Sequence, residues 1–233
     1  MIEFPRTKTG VAGMDEVLYG GFPFNNLVVV SGDPGAGKTI FCLQYIYNGA
    51  TEYGENGVFI SLGPTEQELL DTATLFGLDF QSLIDQGKVA LETIEVYDFE
   101  KLQARIDELV KRVKAKRLVI DPGVMFRLYF DKELDARKKL TRMGRTLKDM
   151  GITTIVTNEL NVSENASLFG LEEYAADGVV LLYHTKVKDR FVRGIAVLKM
   201  RKSRTSEKLH PIRITEKGVE VLPNQELFDE VSR

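Results

Sequence analysis

Residues 32–39 read Gly-Asp-Pro-Gly-Ala-Gly-Lys-Thr, and this octapeptide restricts the fold more than any other stretch of the 233-residue chain. It satisfies G-x-x-x-x-G-K-[ST] at every position. It also lies between an apolar run, Leu27–Ser31, and an apolar helical stretch from Thr39 to about Ala50. A buried strand, a glycine-rich turn and a helix in that order let successive backbone N–H groups converge on phosphate oxygens, and the positive end of the helix adds to them. The residues expected around the phosphates are Gly32, Asp33, Pro34, Gly35, Ala36, Gly37, Lys38, Thr39 and Ile40. Gly32, Gly35 and Gly37 are expected to let the backbone bend and approach without a Cβ in the way. Lys38 is expected to act on the β- and γ-phosphates of ATP, and the Thr39 hydroxyl to hold Mg2+. The second metal anchor should be an acidic residue that ends a hydrophobic strand, the place Asp121 has after Leu118-Val119-Ile120.

The remaining pattern repeats the alternation of strand and helix. Gly57–Leu62, Lys88–Ile94, Arg117–Asp121 and Ile152–Thr157 read as buried strands. Thr65–Phe76, Phe99–Val113 and Leu134–Met150 read as helices, the first with the capping-box spacing of Thr65 and Glu68. After Gly178 the character changes: Gly178–His184, Phe191–Arg201 and Pro211–Val221 follow one another without long helices between them. The expectation is an α/β fold, a mostly parallel central sheet flanked by helices with a C-terminal antiparallel extension. It forms a single domain over 1–233, and the Gly- and Pro-punctuated lead-in, 1–25, packs on it.

Composition narrows the class. A hydrophobic content of 43% and a charged content of 28% rule out wholesale disorder. The longest aliphatic run, Leu27–Val30, is too short to cross a bilayer, and the first residues have no apolar leader pattern. With one cysteine and two histidines the chain can form neither an internal disulfide nor a zinc ribbon, so a cytoplasmic location is expected. The net charge of −3 supplies no general field toward nucleic acid or acidic lipid. Cys42 reads as a buried thiol without chemistry, and His184 and His210 as structural.

The chain resembles the KaiC-like branch, common in archaea, of the RecA superfamily of P-loop ATPases. The resemblance rests on Thr9-Gly10 with Met14-Asp15, Gly20-Gly21-Phe22-Pro23, the loop 32–39, Arg117–Asp121, and Gly151–Glu159. It continues through Phe169–Tyr174, Asp177-Gly178-Val179, Lys199-Met200-Arg201, His210-Pro211 and Ile214–Gly218. It implies a RecA-like core, and a ring (a hexamer is one such size) or filament of identical subunits with ATP between them. On that carry-over Lys199 and Arg201, two residues apart on a strand, contact the γ-phosphate of the neighbour's nucleotide. Ser203, Thr215 and Glu216 also touch that nucleotide.

The pattern breaks in one place that bears on activity. Family members that hydrolyse ATP end the second strand with two glutamates, whereas here Gly63-Pro64 follow Leu62. Loss of a positioned base costs roughly 10²–10⁴ in rate, so a slow ATPase or a nucleotide-gated scaffold without turnover is expected. Glu66 is the candidate substitute base; its other reading, shared with Glu68, is a first-turn carboxylate facing the helix dipole. A role as a DNA recombination or repair accessory rests on ancestry alone. The loop Asn158–Tyr174 carries Glu159, Glu164, Glu172 and Glu173 and no Lys or Arg, which disfavours single-stranded DNA there. Lys111, Arg112, Lys114, Lys116 and Arg117, and the cations Arg137, Lys138, Arg142, Arg145 and Lys148, read as solvated faces.

Overall fold

The computed structural model describes residues 4–95, 98–123, 133–159 and 176–227. The lead-in forms a small antiparallel pair, β1 (Arg6–Thr7) with β2 (Phe22–Pro23), around the short α1 (Met14–Val17). The turn there has a physical cause: the Asp15 carboxylate accepts from both the backbone N–H and the hydroxyl of Thr9. An Ala12–Glu220 bridge ties the lead-in to the far end of the chain.

The core follows in chain order. β3 (Leu27–Gly32) leads into α2 (Lys38–Glu52), then β4 (Gly57–Ser61), α3 (Glu66–Leu75), the short α4 (Phe80–Asp85) and β5 (Val89–Thr93). α5 (Phe99–Val113), β6 (Arg117–Asp121), α6 (Glu133–Asp149) and β7 (Thr153–Glu159) come next. β8 (Gly178–Val187), β9 (Arg190–Met200), β10 (His210–Thr215) and β11 (Gly218–Val221) close the chain. One nine-stranded sheet has the order β11-β10-β9-β8-β3-β7-β6-β4-β5. The strands from β8 to β5 are parallel, and the three beyond β8 are antiparallel, which bears out the α/β reading with its C-terminal extension.

Each central strand is buried on both faces, and the period of two sorts its side chains between two cores. Val28, Val30, Phe59, Val119, Ile155, Val180 and Leu182 face α2 and the lead-in. Leu27, Val29, Val58, Ile60, Leu118, Ile120, Val156, Val179 and Leu181 face α5 and α6. α5 is amphipathic, with Leu102, Ile106, Val110 and Val113 buried, and starts where the Asp98 carboxylate accepts from the N–H groups of Glu100 and Lys101. α2 has apolar residues nearly all round and lies between the sheet and the lead-in.

Three sequence expectations need correction. Pro211–Val221 is two strands joined by a turn, because Gly218 adopts φ +98 and folds β11 back on β10. α4 was not expected; six residues are too few to display a helical stripe. Arg117 does not belong to a solvated face: it is wholly buried and paired with Glu55. The loops on which the DNA question turns lie mainly outside the described residues, as do Phe169–Tyr174.

Candidate nucleotide site

The turn between β3 and α2 is built by glycine geometry. Gly35 and Gly37 have φ of +73 and +100, a region open to glycine without strain. Gly32 meets a constraint of its own from the neighbouring strand. A Cβ there would sit 2.3 Å from the Leu182 carbonyl oxygen, so its bare backbone lets β8 lie close beside β3. The neighbouring strand then buttresses the loop. The His184 backbone N–H donates to the Asp33 carboxylate at 2.9 Å, the His184 ring lies 3.2 Å from the Pro34 carbonyl oxygen, and Arg193 Nε donates to the Gly35 carbonyl at 3.0 Å. His184 thus lies at the flank of the phosphate loop. The exposed Phe191 ring packs against it, 5.2 Å between centroids.

Lys38 opens α2 and turns its ammonium back into the loop, donating to the carbonyls of Gly32 and Asp33 at 3.0 and 3.1 Å. Burial pulls its pKa below the usual lysine range, opposed by the carboxylates of Glu159, Asp121 and Asp33. Thr39 Oγ1 donates to Asp121 Oδ2 at 2.7 Å, and the Thr157 hydroxyl donates to Asp121 Oδ1. The two residues singled out for Mg2+ thus meet, and a hydroxyl and a carboxylate are the hard oxygen donors this cation takes. Asp121 comes at the end of β6, followed by a cis bond to Pro122. Ala36 is buried and Pro34 exposed within the loop, and Ile40 is half-buried on α2. Cys42, wholly buried one turn on, has its thiol pKa pushed up by that burial.

A cavity of about 460 Å³ is lined among others by Arg190, Phe191, Arg193, Ile214 and Thr215; it has no phosphate-loop residue in its lining, and Arg193 links it to the loop through the Gly35 carbonyl. It exists because β10 pairs with β9 only at His210–Ile195 and Pro211–Gly194, after which the strands splay. The Ile214 side chain lies 3.3 Å from where a Gly37 Cβ would be, which brings the end of β10 close to the phosphate loop. Thr215 and Glu216 form the β10–β11 turn, in which the Thr215 hydroxyl donates to the Gly218 carbonyl. A larger cavity, about 980 Å³, lies behind the later half of α2 around Asn48, Glu52 and Tyr53 and includes no residue of the phosphate loop.

Lys199 and Arg201 lie at the opposite end of the sheet. Lys199 pairs with Val179, which pairs with Val29 near the start of β3. Its Nζ donates to the Ala176 carbonyl at 2.7 Å, while Arg201 and Lys148 approach the Asp177 carboxylate at 3.6 and 2.6 Å. Burial and then the charges of Arg201 and Lys148 lower the Lys199 pKa, with Asp177 acting against them. Ser203, just beyond, accepts from Arg6 Nη1 at 2.9 Å. Glu66 heads α3 and its carboxylate accepts from the Thr93 N–H at 3.4 Å, on the edge strand β5. Glu68 is taken up by the capping box with Thr65.

Sequence reasoning did not single out Glu159, Arg193 or Phe191 for this site. Register brings them there, and the one available signal was that Glu159 ends a strand of the buried core. Among the described residues no helix is long and apolar enough to cross a membrane.

Comparison with known proteins agrees with this geometry. A family model described as "ATPase: KaiC" matches residues 7–226. The UPF0273 protein of Aeropyrum pernix is 35% identical over 94% of both chains. The circadian clock oscillator protein KaiC of Synechococcus elongatus is 31% identical over 94% of this chain, which spans only 44% of that protein's length. The crystal structure of a KaiC-like protein from Pyrococcus horikoshii superposes with a TM-score of 0.85 at 37% identity, covering 95% of this chain and all of that one. With its phosphate loop, strand-end aspartate and RecA-like sheet, the chain belongs to the KaiC-like branch of the RecA-superfamily P-loop ATPases.

Proposed function

We propose that the chain binds Mg–ATP between identical subunits of a ring or filament and hydrolyses it slowly, so that the nucleotide serves as a switch for assembly. One observation carries this reading. Lys38, Thr39 and Asp121 meet at one end of the sheet, whereas Lys199 and Arg201 lie at the other, roughly 15 Å along the strands at 3.3 Å per residue. Cations so placed reach no phosphate of their own subunit and are available to a neighbour's. The cavity beside Arg193 and Ile214 is the space for the nucleoside. Ser203 and Glu216 contribute at the edges of the shared site.

We attribute slow turnover to Gly63-Pro64, which leave no proton acceptor where hydrolysing relatives carry the glutamate pair, while phosphate binding through the loop and Lys38 is untouched. The same pair supports a second reading, a scaffold that binds ATP without turnover. Equilibrium binding of a fluorescent ATP analogue, with phosphate release followed across protein concentration, separates them. The shared site predicts specific activity that rises with assembly, and Lys38→Ala should lose nucleotide affinity. Affinity unaltered in Lys38→Ala refutes the site itself.

A further inference from the structure

β7 lies between the strand of the phosphate loop and the strand of Asp121, in the order β3-β7-β6-β4. Its side chains alternate, and Ile155 belongs to the core facing α2. Thr157 and Glu159, two and four residues on, therefore emerge on that same face. Thr157 proves the parity, because its hydroxyl bonds the Asp121 carboxylate there.

The register then fixes the height of Glu159. Ile120 pairs with Val156 and Ser61 with Asp121, which sets Ser61, Asp121 and Thr157 in one row across the sheet. Two residues further, Glu159 pairs with Gly32, the first residue of the phosphate loop. β4 itself ends at Ser61, where the chain turns, the Ser61 hydroxyl donating to the Pro64 carbonyl and accepting from the Gly63 N–H. Glu159 thus stands on the strand next to that of the phosphate loop, whereas Gly63 follows a strand three places away. Neighbouring strands are about 4.8 Å apart, so the carboxylate is the nearer of the two positions by two such steps. It is exposed, beyond the level of Asp121, and among the carboxylates near Lys38 it has the strongest pull on the ammonium. Glu66, by contrast, leans on Thr93 at the sheet's far edge.

We propose that Glu159 is the catalytic residue that positions the attacking water and accepts its proton, in place of the glutamates that Gly63-Pro64 lack. This rests on the ATPase reading above. The water oxygen attacks the γ-phosphorus as the bond to the β–γ bridging oxygen breaks. ADP departs with that electron pair, the water's proton passes to the Glu159 carboxylate, and from there to solvent.

The test compares wild type, Glu159→Gln and Glu66→Gln by release of radiolabelled phosphate, with analogue binding measured on each and the folded state checked by thermal melting. Wild-type turnover is measured first. Its absence alongside intact binding overturns the hydrolytic reading and this residue's role together. With wild-type turnover present, Glu159→Gln should lower kcat by about 10²-fold with the analogue Kd unchanged, while Glu66→Gln retains wild-type kcat. Adding Gly63→Glu to Glu159→Gln should restore turnover, since it returns a carboxylate to the position where hydrolysing relatives carry one. Unchanged kcat in Glu159→Gln overturns the assignment, as does an altered Kd with kcat intact. The latter would make Glu159 a mere counter-charge for Lys38.

Discussion

Arg117 carries a guanidinium into the interior with none of its surface exposed. Its charge is met by Glu55 at 2.7 Å, its Nη1 donates to the Tyr45 carbonyl at 2.8 Å, and its plane lies 4.6 and 5.4 Å from the ring centres of Tyr45 and Tyr53. Room for it comes from Gly49, where a Cβ would fall 2.4 Å from the Arg117 side chain. Taken in the basic run 111–117 it reads as one more solvated cation. Its parity with Val119 and Asp121 instead directs it under α2. Arg117→Ala leaves Glu55 unpaired and a cavity between two tyrosines, and should lower stability by about 3–5 kcal/mol, read as a shift in the urea midpoint at constant slope. Arg117→Lys should recover only part, since an ammonium lacks the flat fork that stacks and bonds at once.

At the scale of elements, the contact between β3 and β8 is the most exacting. Gly32→Ala sets a methyl against a backbone carbonyl rather than a flexible side chain. Such overpacking costs typically 1–3 kcal/mol, and because β8 braces the loop through His184, nucleotide affinity should fall with it. Paired denaturant and binding titrations on that variant show whether the two losses travel together. The capping box of α3 is more forgiving: Thr65→Ala should cost about 1 kcal/mol, again by urea midpoint, with ATP binding unaffected. Elements of this kind were readable in advance. α5 and β6 have the residue bounds that their periodicity implied, because a long amphipathic stripe and a doubly buried run are local signals. The turn that splits Pro211–Val221 was hidden in an apolar stretch whose fold-back depends on one glycine. The site divided in the same way. Lys38, Thr39 and Asp121 could be read from motif and strand end, whereas His184, Arg193 and Glu159 enter through pairing between strands far apart in sequence.

On the scale of the whole molecule, the two ends of the sheet have different equipment, and this can be tested without seeing an assembly. Lys38→Ala and Arg201→Ala should each be nearly inactive alone. Mixed after dissociation, they should regain activity, because some contacts then join an intact phosphate loop to an intact basic pair. A lack of recovery, with light scattering showing that the mixture has assembled, would count against a composite site. On the proposed shared site, the placement of Lys199 and Arg201 remote from Lys38 would also give each copy a polarity, one margin receiving and the other giving. Copies related by a two-fold axis would bring like margins together and complete nothing. Only head-to-tail stacking matches giver to receiver. Closure would then leave no unmatched margin, whereas any open row retains one idle catalytic face at its tip.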